Sequence, residues 1–246
     1  MKKGMNWRIY FFITTFCFLT TKAIAADVDV YAEGAYTNTD LVVYLYADIN
    51  GSNLVSNGVK VTYNTAELTS PIAEKNVAVW FMGDGVTNYP YAAPDVSTPG
   101  EVIIIGGKLN TNAPTEGVPA VGEPSTRVLL GKVTFARVNS TLPVADPAAT
   151  FQVGLGLGKT GNYVNFATND NPSVALDNET DGVAFTGVTV RQRGDANGNG
   201  VINTQDMGAI RFFMTNGGNQ YPWMDCNGNG TINTQDMGCI RFIMTN

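Results

Sequence analysis

The chain has 246 residues, with 15 Lys plus Arg against 21 Asp plus Glu, three Cys and no His. That length accommodates one sizeable domain and a small one, at roughly 100 to 200 residues per domain. The acidic balance argues against nucleic acid, which is bound through basic patches that neutralise phosphates, and the lack of histidine removes the commonest general base and the usual zinc ligand.

The first element is a targeting segment. Lys2, Lys3 and Arg8 precede the apolar run "IYFFITTFCFL", and the small residues Ala23 and Ala25 close it, the pattern of a secretory signal. The run from Ile9 to Leu19 is followed closely by Lys22, whereas a spanning helix needs about 20 apolar residues. Residues 1–25 are therefore expected to be a signal peptide cut before Ala26, leaving no membrane span and a product that is secreted or held at the cell surface. Cleavage removes Lys2, Lys3, Arg8 and Lys22, so 15 − 4 = 11 basic residues face 21 acidic ones, a net of −10. It also removes Cys17 and leaves Cys226 and Cys239, two thiols that an oxidising compartment can pair.

From Asp27 to about Arg191 the chain reads as strands punctuated by Gly, Asn and Pro. "LVVYLYADI", from Leu41, puts Leu41, Val43, Leu45, Ala47 and Ile49 on one face and Val42, Tyr44, Tyr46 and Asp48 on the other, the period of a half-buried strand. Further runs are "VDVYA" from Val28, "GVKVTY" from Gly58, "VAVWFM" from Val77, "VIII" from Val102, "VLLGKVTFARV" from Val128, "TFQVGL" from Thr150 and "VAFTGVTV" from Val183. Short strands at this spacing predict a mainly β fold, a jelly roll or β-sandwich over residues 26–191. Around the strand at Val102, the stretch from Gly83 to Arg127 carries Pro90, Pro94, Pro99, Pro114, Pro119 and Pro124 and reads as long surface loops.

After the last strand a dozen residues are written twice, "DANGNGVINTQD" from Asp195 and "DCNGNGTINTQD" from Asp225. Both follow the calcium-loop pattern of alternating Asp or Asn, a glycine in sixth place and an acid in twelfth, with Asp in place of the usual Glu. A hard cation takes six to eight oxygens at about 2.3 to 2.6 Å, and a tightly turning chain supplies them from alternate positions. The expected ligands are Asp195, Asn197, Asn199, the Val201 carbonyl, Asn203 and Asp206, and in the second copy Asp225, Asn227, Asn229, the Thr231 carbonyl, Asn233 and Asp236. Gly200 and Gly230 permit the turns. Two carboxylates per loop predict a weaker site than an acid-rich loop makes, with Ca2+ favoured over Mg2+, which demands rigid octahedral geometry. Each loop leads into a helical stripe, Met207, Ile210 and Met214 or Met237, Ile240 and Met244, expected to pack the two helices together.

Two such loop-helix units at the C-terminus of an exported chain resemble the type I dockerin domain, on the motif "GDANGNGVINTQD" and its copy over residues 194–246. The resemblance implies a small α-helical module with two EF-hand-like calcium loops that binds a cohesin-type protein module, in complexes linked to polysaccharide degradation or surface attachment. It places partner contacts on the helices, at Thr204 and Gln205 and at Thr234 and Gln235, where the commoner family pattern is a pair of small hydroxyl residues. Between residues 195–216 and 225–246, 18 of 22 positions are identical, Arg211 and Arg241 among them. The resemblance reads such a duplicated face as able to meet its partner in two orientations, while a recent, undiverged duplication would look the same. Two of the differences replace Ala196 and Ala209 by Cys226 and Cys239 together, which predicts that these positions approach each other and form a disulfide.

The strand patterns "GVKVTYNTAEL", "LLGKVTFARV" and "GVTV" make the N-terminal part similar to cohesin-type or carbohydrate-binding β-sandwiches. The expected function is that of a secreted, non-catalytic assembly or adaptor protein. The alternative is a carbohydrate-binding module delivered by its dockerin, for which Trp80, Tyr89 and Tyr91 are candidate platform residues unless they serve in packing. A glycoside hydrolase would need a carboxylate pair, and no spacing selects one from Glu67, Glu74, Asp84, Glu101 and Asp181.

Overall fold

The computed structural model describes residues 27–80, 93–108, 123, 125–160, 164–169, 175–177 and 182–245. The expected signal peptide, Tyr89, Tyr91, Asp84 and Asp181 lie outside them. Among the described residues no helix is long and apolar enough to cross a membrane.

In chain order the strands are β1 (Val28–Tyr36), β2 (Asp40–Ile49), β3 (Leu54–Thr62), β4 (Leu68–Lys75), β5 (Glu101–Gly107), β6 (Val128–Arg137), β7 (Gly154–Leu157), β8 (Ala167–Thr168) and β9 (Val183–Gln192). The helices are α1 (Pro147–Phe151), α2 (Thr204–Asn216) and α3 (Thr234–Thr245), with a 3-10 turn at Pro222–Met224. One sheet has five strands in the order β4-β6-β2-β1-β9, and the facing sheet runs β5-β3-β7 with β8 also paired to β3. The fold is thus a mainly β, two-sheet sandwich with a helical C-terminal segment. Its pairings are antiparallel except that of β1 with β9, which is parallel.

The alternation in β2 explains the core directly. Leu41, Val43, Leu45, Ala47 and Ile49 are buried and belong to one cluster with Val59, Val61, Val102 and Ile104 of the facing sheet. Full burial of such side chains is worth about 1.5 to 3 kcal/mol each relative to exposure. Phe135, Phe151 and Phe166 also belong to the cluster.

Two expected strands are placed differently. The described part of the run from Val77, residues 77–80, is a turn, because the amides of both Val79 and Trp80 donate to the Asn76 carbonyl. The strand of this region lies before it: β4 occupies the sheet edge, carries Pro71, and breaks its pairing with β6 between Thr69 and Ile72. Proline survives in a sheet at such an edge or bulge, where its missing N–H costs no ladder bond. Near Thr150 the chain first forms α1, capped by the Asp146 carboxylate accepting from Ala149 N at 3.0 Å and opened by Pro147, so that the strand begins only at Gly154.

A second cluster gathers Ala196, Ile210, Trp223, Met224, Cys226, Ile232 and Ile240 around Ala35 of β1. The C-terminal segment is therefore seated against the five-stranded sheet. The passage between them is continuous, Arg193 N donating to Tyr36 O and Gly194 N to Trp223 O, each at 2.8 Å.

Candidate functional site

The first repeated loop winds around its own acids. Gly198 and Gly200 have φ of 75° and 85°, left-handed values that favour glycine. Asp195 Oδ2 accepts from Gly200 N at 3.0 Å. Asp206 accepts from Asn197 N at 3.0 Å through Oδ1 and from Asn203 N at 2.8 Å through Oδ2. Asn197 Oδ1 accepts from Asn199 N, and Asn199 Oδ1 from Val201 N, both at 2.9 Å. Asn203 caps α2, its side chain accepting from Gln205 N at 2.7 Å, so that Asp206 both closes the loop and opens the helix.

The second loop repeats most of this network and adds one bond, Asp225 Oδ1 accepting from Asn229 N at 3.1 Å. Asp225 Oδ2 accepts from Gly230 N at 2.8 Å, Asp236 from Asn227 N at 3.2 Å and Asn233 N at 2.8 Å, and Asn229 Oδ1 from Thr231 N at 2.9 Å. Gly228 and Gly230 take φ of 73° and 82°. All the expected ligand residues of each copy therefore converge on one turn, with the Asn203 and Asn233 amides each 3.2 Å from the carbonyl of Val201 or Thr231.

These residues fit a hard cation. Asp206 and Asp236 are both 0% exposed and Asp195 is 2% exposed, and burying a carboxylate without a counter-charge is costly. Asp195 Oδ1 is buried with no hydrogen-bond partner, an acceptor whose desolvation a cation would offset. The donors in each loop are two carboxylates, amide oxygens and a carbonyl. Among the described residues no three His, Cys, Asp or Glu converge, so the donor set is neutral-rich and all oxygen, the chemistry of Ca2+ rather than of a soft metal.

α2 and α3 pack through Ile210 and Ile240, with Met207 and Met237 partly buried beside them. The expected stripe stops there: Met214 and Met244 are exposed, and Phe213 packs in place of the former. Thr204, Gln205 and Arg211, with Thr234, Gln235 and Arg241, all lie exposed on these two helices. Gln205 and Gln235 also reach back to the loops, accepting from the Nδ2 of Asn199 at 3.3 Å and of Asn229 at 3.1 Å. Phe212 and Phe242, not singled out from the sequence, are 67% and 66% exposed beside the two arginines; their signal was the repeated Arg-Phe pair. Cys226 and Cys239 form a disulfide with Cα atoms 5.9 Å apart, tying the second loop to α3.

Three arginines connect this segment to the sandwich. Arg127 donates to both oxygens of Glu33 at 2.9 and 2.7 Å and to the Gln220 carbonyl at 2.7 Å. Arg191, at the end of β9, donates to the Gly198 carbonyl and lies 3.7 Å from Asp195 Oδ2. Arg193 reaches the matching glycine of the other loop, its Nη1 occupying space that a Cβ on Gly228 would take. Trp80 is 0% exposed, with its indole N–H donating to Leu129 O at 3.0 Å, so it is a core residue and not part of a sugar platform.

No family model matches the chain, and no curated protein matches it. Solved structures to which it is similar are cohesin modules. The sixth cohesin of scaffoldin B from Acetivibrio cellulolyticus, solved in complex with the Cel5 dockerin, shares 12% identity at a TM-score of 0.41, over 67% of this chain and 98% of that one. CaCohA2 from Clostridium acetobutylicum shares 14% at 0.36, over 68% and 94%. A type III cohesin of the ScaE anchoring scaffoldin from Ruminococcus flavefaciens shares 10% at 0.39, over 68% and 89%. Identity and superposition at this level assign neither a partner nor an activity.

Proposed function

We propose that the chain is an exported, non-catalytic adaptor whose C-terminal segment, residues 194–246, is a type I dockerin-like module ordered by two Ca2+ ions and docking onto a cohesin-type module. The observation that carries this reading is the repetition of one hydrogen-bond network around buried aspartates in both loops, each opening a helix with the same exposed Thr, Gln, Arg and Phe. Asp195, Asn197, Asn199, Val201, Asn203 and Asp206 would hold one ion, and Asp225, Asn227, Asn229, Thr231, Asn233 and Asp236 the other. The bound ion supplies the positive charge that lets the buried carboxylates converge, and the loop residues fix the start of each helix.

In this reading the β-sandwich of residues 26–191 supplies the second contact of the adaptor, in extracellular or surface complexes associated with polysaccharide breakdown. The carbohydrate-binding alternative loses support because Trp80 is enclosed in the core. Calorimetry of the mature chain against a set of cohesin-type modules, in calcium and then in chelator, tests the proposal. Calcium-dependent binding to at least one module is expected, and calcium-independent binding to insoluble polysaccharide with no cohesin binding would replace this reading by the alternative.

A further inference from the structure

The two loops are nearly identical in sequence, yet the sandwich does not touch them alike. Arg191 and Arg193 are two residues apart near the end of β9 and enter the two loops at equivalent glycines, Gly198 and Gly228. Among the described residues, only Arg191 of the two meets a carboxylate: its Nη1 lies 3.7 Å from Asp195 Oδ2, on a side chain that is almost wholly buried. The corresponding acid of the other loop, Asp225, is less buried, and its Oδ1 accepts from Asn229 N at 3.1 Å, a bond for which the orphaned Asp195 Oδ1 has no counterpart.

A guanidinium at that distance is a fixed positive charge on a first-position metal ligand. It stabilises the carboxylate before an ion arrives and repels the ion that would bind there, and the burial of Asp195 limits solvent screening although 33% of the Arg191 side chain is exposed. Arg191 also sits over the Trp223 ring at 5.4 Å and pairs through β9 with Ala35 of β1. Any shift of its side chain is thus felt at the seat between the C-terminal segment and the sheet.

We propose that Arg191 makes the two calcium loops unequal, so that the loop of Asp225 fills first and the loop of Asp195 fills last, its filling coupled to β9 and Trp223 through displacement of the guanidinium. This deepens the two-calcium reading and rests on it. The ligand types at all side-chain positions are the same in both copies, which differ in this region by the Cys226–Cys239 disulfide of the second.

The test is calorimetric titration of the chelator-stripped mature chain with CaCl2, with tryptophan fluorescence followed in parallel. The wild type is expected to show two steps differing by about tenfold, since charge count sets affinity in such loops, and the fluorescence change should follow the weaker step. Arg191→Gln should close the gap by tightening the weaker step, whereas Arg191→Lys and Arg193→Gln should preserve it. Asp225→Asn, which disables the other loop, should leave only the weaker step. Two equal sites in the wild type, a result that needs no variant, would overturn the proposal while leaving the calcium loops standing, as would a gap that survives Arg191→Gln. A wild-type chain that takes up no calcium would overturn the loops themselves and this inference with them.

Discussion

The guanidinium of Arg127 grips both carboxylate oxygens of Glu33 at 2.9 and 2.7 Å while donating a third bond to the Gln220 carbonyl, so one side chain joins the sheet to the C-terminal segment. Its face lies 4.3 Å from the Tyr46 ring centroid, and the bond to Glu33 makes it still harder to deprotonate. Removing one partner of a buried pair leaves the other charge unpaired, which outweighs what the pair itself contributes.

Arg127→Ala is therefore expected to destabilise the chain by about 2 to 3 kcal/mol, below the full cost for a buried pair because the guanidinium edge reaches solvent. Glu33→Gln in the same background should recover part of the loss. Urea denaturation of both singles and the double gives the coupling energy, and additive losses would mean that the pair is not a unit.

Tyr46 carries a pH signature. Burial pushes its phenol up to about 12, whereas an unfolded tyrosine ionises near pH ~10. The folded chain keeps the proton that the unfolded chain loses, so the stability is fully present below about pH 10 and falls as pH rises towards the folded value. Tyr31 and Tyr36 are raised too, chiefly by burial. Tyr46→Phe should make the alkaline decline of the urea midpoint shallower without abolishing it.

Calcium removal should loosen the C-terminal segment first. An ion at about a hundred times its dissociation constant contributes about 2.7 kcal/mol per site. In differential scanning calorimetry with chelator, an early transition carrying the helical signal is expected to separate from that of the sandwich. A single transition unaltered by chelator would count against the metal reading.

The disulfide closes a loop with a sequence separation of 13, and cross-links of that size stabilise by about 3 kcal/mol. Replacing both cysteines by alanine reproduces the residues of the first copy, Ala196 and Ala209, so little packing should be lost. The double variant is expected to lower the melting temperature by about the same amount as reduction of the native chain does.

If the repeated helix face meets its partner in either of two orientations, Arg211→Ala or Arg241→Ala alone should change cohesin affinity by only about twofold, the statistical loss of one of two modes. The double variant should lose far more. A large loss from one single variant alone would assign recognition to one face.

The sheet core was legible because period-2 alternation survives in β2, where Leu41 to Ile49 alternate buried and half-buried. β4 was not, since an edge strand with Pro71 and only its end residues buried has no such signature. The apolar run at Val77 misled for the opposite reason: Trp80 is buried from within a turn. In the candidate site, ligand spacing is local and could be read from the loop sequence. Arg127, Arg191 and Phe212 could not be placed, because their roles depend on which surface the folded C-terminal segment covers, a contact between residues far apart in the chain.

The parallel pairing of β1 with β9 sets Val28 against Val183, so the first strand of the sandwich waits for the last. A chain emerging from its amino end leaves one side of β1 unpaired until some 150 residues have followed, a loop closure of the kind that slows folding. Cys226 and Cys239 lie later still. On a chain made from its amino end the native cross-link can form only after every strand of the sandwich has emerged.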